Sequence, residues 1–254
     1  MQGRSLDLPC KMLYNMSMVI NSKIVRDLSG MKKVAVFEHC SATFDEIGNN
    51  DAVIALSQDN GVGRGDHKFY SPKGGLYIVM RAVGLHINAH TLAPSVGLAV
   101  HDAVKSVLGI ETSLKWVNDV MKCGKKVAGI LCKCPRRGEY LIGVGINYAT
   151  DQSELDNAGI ENATTLCAPE NRVSYFVAGL LKRMRIATLA TFDHKRYSEL
   201  CMTVGKNISF VYNGTEVRGY AESVAADGSL VVRMGAATVV VDAGEVSIVR
   251  EIKE

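Results

Sequence analysis

Apolar residues in this chain keep two different periods, and the switch between them falls near Val204. Upstream, long stretches repeat every three to four residues. Val96, Val100, Val104 and Val107 form one stripe, which predicts a helix over 95–108 stopped by Gly109. Val173, Val177, Leu180, Leu181 and Met184 form another, predicting a helix over 172–189 with Asn171 as N-cap. Apolar runs at 31–37, 52–56, 76–80, 127–132 and 139–147 read as strands, the last two joined by a turn at Arg136-Arg137-Gly138. Thr43-Phe44-Asp45-Glu46 has the spacing of a capping box at a helix start. Beyond Val204 the helical period is gone, and Asn213-Gly214 and Asp227-Gly228 are tight-hairpin sequences between β-rich runs. The expected fold is α+β. Residues 31–203 would combine these strands and helices in one domain, 204–254 would form a small β-barrel, and 1–30 an N-terminal extension.

Charge and cysteine usage narrow the function classes. A net charge of +3 spread over 254 residues does not point to a nucleic-acid binder. No apolar run reaches the 18 residues that would suggest a membrane span, so no membrane partner is expected. Seven cysteines without a secretory signal suggest reduced thiols inside a cell. Arg4, Lys11, Lys23 and Arg26 against Asp7 and Asp27 leave a mitochondrial address open beside a cytoplasmic one. Cys132 and Cys134 lack a second pair at zinc-ligand spacing and read as strand residues. His86 and His90 lack a third ligand, so no metal site is expected from protein side chains.

Three polar clusters interrupt the apolar segments. In the first, Gly61, Gly63 and Gly65 surround Arg64, between Gln58 and Ser71-Pro72. Such a loop brings backbone amides and one fixed cation near a phosphate. The second joins Lys115-Trp116-Val117-Asn118-Asp119 to Lys126-Val127-Ala128-Gly129-Ile130-Leu131. The third is Gly143-Val144-Gly145-Ile146-Asn147 inside a strand, where missing side chains let a flat ligand or another backbone approach. Each cluster alone also has a structural reading: a surface turn, a core tryptophan beside a turn, a bulge.

Together, in this order and spacing, the clusters resemble the biotin–protein ligase family over about residues 31–250. The resemblance implies a class II synthetase-like catalytic domain, a mixed sheet with packed helices, followed by a Src-homology-3-like barrel. It also implies two reactions. Biotin and MgATP would give biotinyl-AMP, and a lysine on a carboxylase carrier domain, such as that of acetyl-CoA carboxylase, would then take the biotinyl group. By position, Arg64 and Lys115 would meet phosphates and Lys126 the reacting carboxylate. Gly63, Asn118 and Asn147 would border the nucleotide, and Phe69, where the family usually has tryptophan, would stack on adenine. Thr43 and Gln58 would match the ureido group, while Gly61, Gly129, Gly143 and Gly145 would let backbone lie against biotin. Asp119 would orient or deprotonate the acceptor lysine. Mg²⁺ would arrive on the triphosphate with few protein ligands.

Departures from the family pattern sharpen these expectations. Ala42-Thr43-Phe44 stands for Ser-Thr-Asn, which removes one hydroxyl unless Ser41 substitutes. Val62 replaces a common basic residue, Val117 replaces proline, and Asp66 adds a negative charge. A lipoate–protein ligase would show an Arg-Arg-x-Ser-Gly-Gly-Gly stretch, which is absent here. A non-catalytic binder of neutral biotin would have no use for Arg64, Lys115 and Lys126 together. Nothing before residue 31 reads as a winged helix, which argues against a DNA-binding repressor form.

Overall fold

Seven strands build the main sheet: β1 (Val34–Phe37), β2 (Ala52–Ala55), β3 (Leu76–Val83), β4 (Ser113–Lys115), β5 (Asp119–Lys122), β6 (Lys125–Arg136) and β7 (Glu139–Ile146). The computed structural model describes residues 18–65, 67–85, 88–212, 214–242 and 246–248. The expectations for the segment before residue 18, and for Asp66, His86 and Asn213, lie outside these residues. The strand order is β1-β2-β3-β7-β6-β5-β4. Only β1 and β2 run parallel; the other neighbours are antiparallel. The β6–β7 hairpin turns at Gly138, whose φ of 82° is easily reached without a Cβ. Cys132 and Cys134 are strand residues of β6.

Helices cover one face of this sheet. α2 (Ala89–Ala103) buries Leu92, Val96 and Val100, and α4 (Val173–Ala187) buries Phe176, Val177, Leu180 and Leu181. α2 begins well before the expected residue 95, capped by the Asn88 side chain. Pro94 masks that start in the sequence, because proline usually ends or kinks a helix. A π turn (Val104–Leu108) continues α2, and Gly109 closes it in the left-handed region as expected. A 3-10 turn (Glu170–Arg172) precedes α4, so Asn171 lies inside that turn and is not the N-cap.

Three further elements differ from expectation. Residues 43–49 are turns and start no helix, because Thr43 gives its N–H and hydroxyl to Gln58. Within the segment expected as an extension, α1 (Ser22–Ser29) is capped by Asn21 and ends at Gly30, whose φ is 75°. Its Val25 is fully buried. The shorter helices α3 (Gln152–Asn157) and α5 (His194–Leu200) complete the set.

The strands after Val204 are β8 (Asn207–Tyr212), β9 (Thr215–Val224), β10 (Leu230–Met234), β11 (Ala237–Val241) and β12 (Val246–Ile248). Among the described residues they make a five-stranded antiparallel sheet, order β11-β10-β9-β8-β12, and where a small barrel was expected no closed one is found. Among the described residues, β11 and β12 are the two edges of this sheet. This sheet does not stand apart. Its Ile208, Phe210 and Leu230 share one apolar cluster with Leu92 and Trp116. The Trp116 indole N–H donates to the Gly228 carbonyl at 2.9 Å. No helix among the described residues is long and apolar enough to cross a membrane.

Candidate active site

The face of the main sheet away from α2 and α4 carries a shelf without side chains. The β6–β7 register sets Gly129 directly opposite Gly145 and Gly143 opposite Leu131. Two phenyl rings lie in the space the glycines leave. A Cβ at Gly145 would stand 2.5 Å from the Phe69 ring, and one at Gly129 would stand 2.9 Å from it. A Cβ at Gly143 would stand 2.6 Å from the Phe44 ring. The cavity remaining between rings and shelf is about 60 Å³.

At one end of this cavity the polar groups are already linked. Gln58 Oε1 accepts from the Thr43 N–H at 2.7 Å and from its hydroxyl at 2.8 Å. Gln58 Nε2 donates to Ser71 Oγ at 3.0 Å, and Ser71 Oγ donates to the Phe69 carbonyl. These bonds leave the Thr43 oxygen with lone pairs and the Gln58 amide with a second N–H. Ser41 does not join them: its hydroxyl accepts from Asn60, and it lies outside the lining. Tyr77 closes the floor with its hydroxyl donating to the Pro72 carbonyl, and burial pushes that phenol well above its usual pKa.

The other end is ionic. Lys126 Nζ stands 2.6 Å from Asp119 Oδ1 and 5.7 Å from the Phe69 ring centroid. Arg64 donates to Asn118 Oδ1 at 3.3 Å. Asn118 is itself fixed to β6, donating from Nδ2 to the Ile130 carbonyl and accepting the Ile130 N–H on its own carbonyl. Past this point opens a second cavity of about 310 Å³, where Arg64, Lys68, Lys115 and Lys126 face Asp119. The two cavities share Gly63, Arg64, Phe69, Asn118 and Lys126.

Most of the residues singled out in the sequence therefore meet. Thr43, Gln58, Gly63, Arg64, Phe69, Asn118, Lys126, Gly129, Gly143 and Gly145 line the first cavity, and Lys115 and Asp119 the second. Two do not. Gly61 is the neck of the loop, where a Cβ would stand 2.2 Å from the Phe69 carbonyl oxygen. Asn147 is 5% exposed, and its Nδ2 donates to the Thr164 carbonyl, tying that segment to β7. Phe69 lies over the shelf glycines rather than wholly in the second cavity. The sequence reading missed Lys68, whose sign was the basic character of the loop, and Trp116 and Val246, which help line the second cavity. Val246 arrives from β12 in the other sheet, and no local pattern announces it. The Trp116–Val117 peptide bond is cis.

The profile of the Biotin/lipoate A/B protein ligase family matches residues 38–147. The chain is 29% identical to the biotin–[acetyl-CoA-carboxylase] ligase of Mycobacterium tuberculosis, over 77% of this chain and 79% of that protein. It is 30% identical to the chloroplastic biotin–protein ligase 1 of Arabidopsis thaliana, over 80% of this chain but 57% of that longer protein. Residues 38–147 of the chain are thus similar to the biotin/lipoate A/B protein ligase family. The family match runs from Glu38 to Asn147, so it contains every candidate residue from Thr43 onward but not Val246. The fold agrees. The biotin protein ligase from Aquifex aeolicus, solved with biotin and ATP, superposes with a TM-score of 0.72 at 22% identity, covering 87% of this chain and 100% of that one. The family embraces lipoate ligases too, but both relatives named here are biotin ligases.

Proposed function

We propose that this protein is a biotin–protein ligase: it adenylates biotin with ATP, then transfers the biotinyl group to a lysine of a carboxylase carrier domain. The observation that carries this reading is the junction of the two cavities at Lys126 and Arg64. One cavity has phenyl and glycine walls between a hydrogen-bonding end and an ionic end, suited to a neutral bicycle that carries a carboxylate tail. The other carries four cations against one carboxylate, suited to a triphosphate.

In the first step a biotin carboxylate oxygen attacks the α-phosphorus and pyrophosphate leaves. Two anions must approach, and fixed cations at the junction offset their repulsion where charge develops. Lys126 reaches the carboxylate side, and Arg64, Lys115 and Lys68 the phosphate side. The ureido N–H finds the Thr43 hydroxyl oxygen, and its carbonyl finds the second Gln58 N–H. Among the described residues lining the second cavity, Asp119 is the only carboxylate, and Lys126 already engages it. That donor set suits Mg²⁺ carried in by the nucleotide rather than a protein cage.

In the second step the acceptor ε-amine attacks the acyl carbon and AMP leaves. Asp119 is placed to orient or deprotonate that amine. We read the cytoplasm as the location, on the odd cysteine count.

The test is biotin-dependent pyrophosphate–ATP exchange, followed by transfer of labelled biotin to a purified carrier domain. Both are expected. Exchange driven by lipoate but not biotin would move the assignment to the other branch of the family, and no exchange with either acid would sink it.

A further inference from the structure

Phe44 holds a place in the first cavity that the reaction above does not use. It sits in the turn between β1 and β2, beside Thr43, yet its ring crosses to β7 and lies on Gly143. Two contacts fix it there. The ring packs on a small apolar cluster of Ile47, Val53, Val79 and Leu141, separate from the main core. The Lys133 ammonium stands 4.5 Å from the ring centroid, within cation–π range. Phe44 thus supplies the bulk that Gly143 lacks, from a different segment of the chain.

We infer that Phe44 determines which ring systems this cavity accepts. The inference rests on the biotin-ligase reading and names a residue that sets its selectivity. Its ground is the division of labour around the cavity. Hydrogen bonding at that end falls to Thr43 and Gln58, whereas the side chains of Phe44, Val62 and Leu131 offer only apolar surface. A hydrogen-bonding wall rejects ligands by chemistry, while an apolar wall rejects them mainly by size. Size at this wall is set by a side chain on a turn, not by the sheet. Shortening it opens the shelf over Gly143 without touching Thr43, Gln58 or the cations. Lys133 acts through Phe44 by holding the ring in place, and is a positioning residue.

The experiment compares two substrates on each enzyme preparation: biotin, and a biotin analogue enlarged by an alkyl group on a ureido nitrogen. The readout is the ratio of kcat/KM for the analogue to that for biotin, from acid-dependent pyrophosphate release. A partly unfolded fraction lowers both values equally and leaves the ratio unmoved. Phe44→Ala is expected to raise the ratio at least tenfold, mainly through the KM for the analogue. Phe44→Leu, which keeps most of the bulk, should stay within threefold of wild type. Lys133→Ala should move the ratio in the same direction as Phe44→Ala, but less. A ratio unchanged in Phe44→Ala, with wild type active on biotin, overturns the inference and leaves the ligase reading intact. Wild type inactive on biotin, with no binding by calorimetry, overturns both.

Discussion

The two cavities that meet at Lys126 are built on opposite principles. The first is small, about 60 Å³, and its space is taken by the chain's own phenyl rings over a floor of glycines. The second is about 310 Å³, open, and lined by cations. A neutral ring is recognised by shape, so the protein controls that side by what it leaves out, namely the side chains of Gly129, Gly143 and Gly145. A polyphosphate is recognised by charge, so the protein controls the other side by what it holds in place. Changes on the two sides should therefore be felt in different quantities: affinity and selectivity on the shelf side, turnover on the cationic side.

The largest effect is expected at the junction. Lys126→Met removes the cation shared by both cavities and leaves Asp119 without its ion-pair partner. Loss of one preorganised charge where the transition state gathers charge costs about 3 kcal/mol, roughly a hundredfold or more in rate. Biotin-dependent pyrophosphate exchange should fall by that factor through kcat, with a smaller change in the KM for biotin. A loss confined to the KM for biotin would mean that Lys126 belongs to the shelf alone, and the contrast between the cavities would fail.

Next in size is a change that fills the shelf. Gly145→Val places branched carbon where a Cβ alone already meets the Phe69 ring at 2.5 Å. Biotin binding measured by calorimetry should weaken roughly tenfold to a hundredfold, a cost of about 1–3 kcal/mol as for other overpacked sites. Nucleotide binding measured alone should stay within about twofold. Equal weakening of both ligands would show that the shelf serves the two cavities together.

The side-chain-free floor and two of the four cations, Lys115 and Lys126, were legible in the sequence for the same physical reason. Glycines inside a strand and lysines at strand ends, as at Lys115 and Lys126, run against the ordinary preferences of a sheet, so they stand out. The contacts that finish the site were not legible. Phe44 and Phe69 look like loop residues until the turns fold them over β6 and β7. Asn147 shares the alternation of Gly143 and Gly145, yet it lies one residue past the end of β7 and its amide is drawn to the Thr164 carbonyl, away from both cavities. The Thr43–Glu46 spacing fits a capping box equally well on paper, and only the tertiary bonds to Gln58 decide against it. The start of α2 was hidden by Pro94, and β12 contributes Val246 from far along the chain beyond the other residues of the second cavity.

Trp116 links the cationic cavity to the second sheet. Its indole N–H is bonded to Gly228 across the two sheets, and its ring lines the second cavity at 3% exposure. Trp116→Phe keeps the aromatic bulk but leaves the buried Gly228 carbonyl without that donor. The expected loss is about 1–2 kcal/mol of stability, read as a lower midpoint in urea. The KM for ATP should rise while the KM for biotin stays near wild type. A matching rise for biotin would show that the second sheet supports both cavities.

The smallest expected effect needs no mutation. Mobile ions screen charges that water can reach, with a Debye length of about 10 Å at 0.1 M salt, and have little hold on apolar contacts. The cations of the second cavity face open space, whereas the shelf is covered by rings. Raising the salt from about 0.05 to 0.5 M shortens the screening length roughly threefold. The KM for ATP should then rise several-fold, and that for biotin, whose single carboxylate feels Lys126 alone, by less than half as much on a logarithmic scale. Titrating both constants against the logarithm of salt separates the outcomes: two different slopes follow if shape governs one side and charge the other. Parallel slopes would mean that the carboxylate, not the ring, dominates biotin binding, and that the shelf contributes fit without much affinity.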